Sequence, residues 1–75
     1  MAPDTALPLH TFHSLQWILS RTGWAVLVKE KLEEKYLKEL LGEIIQIDGY
    51  VHKLLSYSVQ SGKLTLFVDH RRSSQ

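Results

Sequence analysis

At 75 residues, 44% of them hydrophobic and 23% charged, the chain has the composition of one ordinary globular domain, and a domain this short buries only about 60% of its unfolded surface. It contains no cysteine, so neither disulfides nor thiolate metal sites can add to a marginal core. A formal net charge of +1 excludes a strong general attraction to nucleic acid, and no apolar window approaches the length of a membrane span or follows a basic start as in a signal peptide.

In chain order, residues 1–10 hold both prolines, Pro3 and Pro8, and read as an extended N-terminal arm. Residues 11–20 carry two patterns. Phe12, Leu15 and Leu19 fit a short helix capped by Thr11, which is the preferred reading, whereas Leu15, Trp17 and Leu19 fit an alternating strand. Arg21, Thr22 and Gly23 then break the chain before a β-prone run from Trp24 to Val28.

The dominant expectation is a long amphipathic helix over residues 28–47. Leu32, Tyr36, Leu40 and Ile44 recur every four residues, with Leu37, Leu41 and Ile45 one step round. Lys29, Glu30, Lys31, Glu34, Lys35, Lys38 and Glu39 supply the charged face. A helix starting near Trp24 is the alternative, and Gly42 reads as a surface glycine or a point of close approach.

Asp48 and Gly49 mark a turn or the cap of a short turn over residues 50–55. Leu55, Tyr57 and Val59, then Leu64, Leu66 and Val68, alternate with small polar residues on either side of Gln60-Ser61-Gly62-Lys63. This predicts a hairpin, and a loop of even length sets Val59 opposite Leu64. Phe67 falls on the otherwise polar face. A single domain is thus expected over residues 11–69, followed by a polar tail, 70–75.

The stretch ILSRTGWAVLV (residues 18–28), the long helix and the hairpin SYSVQSGKLTLFVD together resemble the β-α-β-β portion of heavy-metal-associated domains of ferredoxin-like fold, over roughly residues 17–69. The resemblance implies an α+β fold, a small partial ferredoxin-like sheet backed by one long helix. The family's Cys-x-x-Cys is absent, so no metal role carries over, and the family's second helix and fourth strand have no counterpart, which leaves a sheet edge open. Small barrels of the Sm or oligonucleotide-binding kind use a similar hairpin and rank second.

Chemical constellations are sparse. His10 and His13 would share a helical face, but no third ligand accompanies them; His52 and His70 stand alone. No nucleophile elbow, phosphate loop or zinc-protease signature occurs. Glu33, Glu34, Glu39 and Glu43 belong to a solvated helix face. The expectation is therefore a non-enzymatic, cytoplasmic interaction or assembly module without metal or cofactor, either a homo-oligomer or a subunit of a larger complex. Its interaction residues would be Trp24, Tyr57 and Phe67, through strand 24–28 or 64–68 as a free edge. The alternative is a small nucleic-acid-binding domain using Lys53, Lys63, His70, Arg71 and Arg72 beside sheet aromatics.

Overall fold

The computed structural model describes residues 10–70. It contains β1 (Thr11–Phe12), β2 (Ser14–Leu19), β3 (Gly23–Val28), α1 (Glu34–Leu40), β4 (Ile44–Ile47), β5 (Tyr50–Gln60) and β6 (Lys63–Asp69). The strands form one mixed sheet in the order β1-β4-β5-β6-β3-β2, in which only the β1–β4 pair is parallel. β1 and β2 stand at opposite ends of that order, yet only His13 separates them in sequence. One extended segment therefore carries both ends, and the sheet must curl until they meet.

Two tight turns set the register of the β4-β5-β6 meander. Asp48 and Gly49 have φ of 52° and 86°, and Ser61 and Gly62 have 53° and 76°. Positive φ at both central residues is the turn geometry whose twist matches that of paired strands. It sets Ile47 opposite Tyr50 and Gln60 opposite Lys63. The two-residue loop at Ser61-Gly62 also puts Val59 opposite Leu64, as the even-loop reading expected.

Burial follows the strand period. Val26 and Val28 of β3, Leu64, Leu66 and Val68 of β6, Ile45 and Ile47 of β4, and Leu54 of β5 line the interior with Phe12, and α1 closes it with Leu37. Gly23 stands where β3 meets β6 with no room to spare, since a Cβ there would lie 1.8 Å from the carbonyl oxygen of Val68.

The α+β, partial ferredoxin-like architecture is corrected by these strands. The described residues are mostly β, and among them no long helix backs the sheet. Of the helix expected over residues 28–47, only Glu34–Leu40 is helical. At its start, the Lys29 N–H donates to the His13 carbonyl and so prolongs strand pairing, while Glu33 at the N-cap makes no side-chain cap. At its end, Gly42 takes φ of 81°, its N–H donates to the Leu54 carbonyl, and Leu54 donates back to Glu43. The chain has joined the sheet by Glu43, and the β-branched Ile44, Ile45 and Ile47 continue it as β4. The N-terminal helix is also corrected: residues 14–19 are strand, in line with the alternating pattern of Leu15, Trp17 and Leu19. Of the expected arm (1–10) and tail (70–75), residues 1–9 and 71–75 lie outside the described residues.

Candidate functional site

Among the described residues β2 is the end strand of the sheet and pairs with β3 alone. The Ser20 N–H donates to the Gly23 carbonyl at 2.8 Å, which makes Ser20 and Gly23 a hydrogen-bonded pair. Bonded and non-bonded pairs alternate along an antiparallel ladder. Ile18, opposite Ala25, and Gln16, opposite Leu27, therefore spend their backbone groups on β3, while Trp17 and Leu19 present theirs to the free side. A register shift between Ser14 and Gln16 throws Leu15 out of the ladder.

The side chains of this edge are apolar. Leu15, Ile18 and Leu19 are 60%, 54% and 62% exposed. The Ser14–Leu19 strand contains no charge and no proline, the two devices by which natural edge strands usually resist pairing. Register carries the apolar surface further: Ile18 stands opposite Ala25, Ala25 opposite Phe67, and Phe67 opposite Ser56, in one row across the outer face.

Polar groups collect at the two ends of the strand. At its start, the Ser14 N–H donates to Asp48 Oδ1 at 3.1 Å and the Ser14 hydroxyl donates to Oδ2. Those two hydrogen bonds hold the Asp48 carboxyl below its ordinary range, against slight desolvation and with help from the Trp17 indole. Beside it, partial burial raises the Glu30 carboxyl, but hydrogen bonds from the His13 ring and backbone N–H outweigh it and the net shift is downward. At the far end, exposed Arg21 forms no ion pair among the described residues.

On the inner side, Trp17 meets Trp24 edge-on, ring centroids 5.6 Å apart, and lies 5.6 Å from the tilted ring of His52. His52 is only 8% exposed, and its Nδ1 has no hydrogen-bond partner among the described residues. No local pattern points to this contact, because it joins residues far apart in the chain across the curl.

The residues singled out from sequence do not converge. Trp24 and Tyr57 are half-buried and pack against the core, whereas Phe67 is half-buried on the outer face. Strands 24–28 and 64–68, expected as free edges, are interior: β3 lies between β2 and β6, and β6 between β5 and β3. Lys53 and Lys63 are exposed, Lys53 beside Asp69, whose carboxylate accepts its backbone N–H at 3.4 Å. Lys63 and His70 stand at opposite ends of β6, about 20 Å apart at strand rise. Arg71 and Arg72 lie outside the described residues. His10 stacks on Phe12, with centroids 5.0 Å apart, and His13 is engaged by Glu30. Residues three apart on extended chain face opposite ways, so the helical pairing of the two histidines is lost.

Among the described residues no group of three or more His, Asp or Glu side chains is placed to hold a metal ion, and no helix is long and apolar enough to cross a membrane. No family model, no curated protein and no solved structure matches this chain.

Proposed function

We propose that this chain is a non-enzymatic, cytoplasmic protein-interaction module that binds through the free edge of β2. The observation that carries the reading is the coincidence, on one uncharged strand, of outward backbone groups at Trp17 and Leu19 with the exposed side chains of Leu15, Ile18 and Leu19. An added strand satisfies the backbone groups, and alternate side chains supply the contact area. Full burial of such a side chain is worth about 1.5 to 3 kcal/mol, so covering the exposed half of each contributes about 1 kcal/mol per residue. Phe67 stays in the reading as the continuation of the row from Ile18.

The alternative, a nucleic-acid-binding domain, draws on Lys53, Lys63 and His70, but these do not form one basic stripe among the described residues. Salt separates the two. Protein association through β2 survives a rise from low to physiological ionic strength, whereas nucleic-acid affinity falls steeply. Recovery of partners by the wild type, equally by an Ile18→Lys chain, and only at low salt would overturn the interaction reading.

A further inference from the structure

We propose that the strand completing the β2 edge is β2 of a second copy of this chain, antiparallel about a two-fold axis at Trp17. The inference rests on the reading of β2 as the binding edge and goes beyond it by naming the occupant. Three observations carry it.

The first is backbone parity. Trp17 presents both its N–H and its carbonyl to the free side. An antiparallel pair centred on that residue lets each Trp17 donate to and accept from its counterpart, with the Leu19 end of each copy running beside the Leu15 bulge of the other. A two-fold contact of this kind is self-complementary and closes at two copies.

The second is charge. With the pair centred on Trp17, the Arg21 end of each copy lies at the Ser14 end of the other, where Ser14 is bonded to Asp48 and the adjoining His13 ring and N–H to Glu30. Both carboxylates are held in the ionised form by those bonds. The cation at one end of β2 thus meets the anions at the other, twice. The strand between carries no charge to repel its own copy.

The third is the choice among edges. β5 also has a free flank beyond Leu54, where pairing to the β4 side ends. That flank presents Leu55 and Val59 among Ser56, Ser58 and Gln60, with no charged pair at its ends; β2 is the more apolar and the only one of the two with complementary termini.

The test is the mass in solution at about 100 µM, a concentration at which even a weak strand contact is populated, by light scattering or sedimentation. Wild type should run at twice the 8.7 kDa of one chain. Leu19→Pro removes an outward N–H on an edge strand, where proline is tolerated, and should give a monomer with an unchanged circular dichroism spectrum. Arg21→Glu should raise the dissociation constant at least tenfold at low salt while leaving the monomer folded. Should Leu19→Pro unfold, Ile18→Lys provides the same reading without altering the backbone.

A wild type that is monomeric, or a dimer indifferent to all three substitutions, overturns the proposal. So does a ladder of higher masses, which would mean that β2 of one chain meets β5 of the next. A monomer that captures a lysate protein through β2 sinks self-pairing alone; one that captures nothing sinks the interaction reading as well.

Discussion

Replacing Leu37 and Leu41 in turn by alanine separates a one-helix scaffold from a curled sheet with a short helical plug. Leu37 is 0% exposed and is the buried residue of α1, whereas Leu41, one step past the helix, is 40% exposed. Truncating a fully buried leucine costs about 2 to 5 kcal/mol, the spread reflecting how far the site can collapse. Leu41 has already left a large part of its surface in water, and its truncation should cost about 1 kcal/mol or less. A domain of this size has a total stability of about 4 to 11 kcal/mol. Leu37→Ala therefore removes a large share of it and lowers Tm by more than about 10 °C, while Leu41→Ala shifts it by a few degrees. Urea titration followed by circular dichroism and tryptophan fluorescence reads both. Equal losses at the two positions would refute the argument, because they are expected of a helix running on through residue 47 with both leucines in its buried stripe.

Three further outcomes follow from the packing. Gly23→Ala should cost several kcal/mol or abolish folding, since its Cβ would sit inside contact distance of the Val68 carbonyl, a backbone atom that cannot swing aside; a loss under about 1 kcal/mol in the same titration would count against the β3–β6 approach. Gly42→Ala meets no neighbour among the described residues and should cost about 1 kcal/mol in that titration, through its φ of 81° alone. The Asp48 and Glu30 carboxyls are depressed in the folded state, so their contribution is present above the ordinary carboxylate range, about pH 4, and lost as pH falls through the folded values. Asp48→Asn should flatten the acid limb of a stability–pH curve below about pH 4.5, and an unchanged limb would mean the Ser14 contact contributes nothing.

The hairpin was legible from sequence because two signals agreed. Alternation from Tyr57 to Val68 and a turn built on Ser61-Gly62 demanded the same register, and that register is the one observed. One residue escaped it. A shift between Leu54 and Ser56 expels Leu55 and turns Leu54 inward, and a one-residue slip of that kind leaves the composition of the strand unaltered.

The long helix was misread for a different reason. Leu40 and Ile44, like Leu41 and Ile45, continue the four-residue rows of α1, but from Gly42 onward the operative period is two, with Ile45 and Ile47 buried and Ile44 exposed. Three isoleucines after a glycine carried that signal, and the charged run before them obscured it. The open edge was legible only in kind. An exposed edge was expected from strand count, but placing it on β2 depended on whether residues 11–20 were helix or strand. The meeting of Trp17 with His52 follows from the curl of the sheet, to which no local pattern refers.

Amide hydrogen exchange along β2, measured at low and high protein concentration, bears most directly on the claim that this strand has one bonded and one vacant side. The Ile18 and Ser20 amides, bonded to β3, should be protected at both concentrations. Those of Trp17 and Leu19 should exchange rapidly in dilute solution and become protected as concentration rises. Uniform protection of all four in dilute solution, or exchange at Trp17 and Leu19 that does not slow with concentration, would contradict the account.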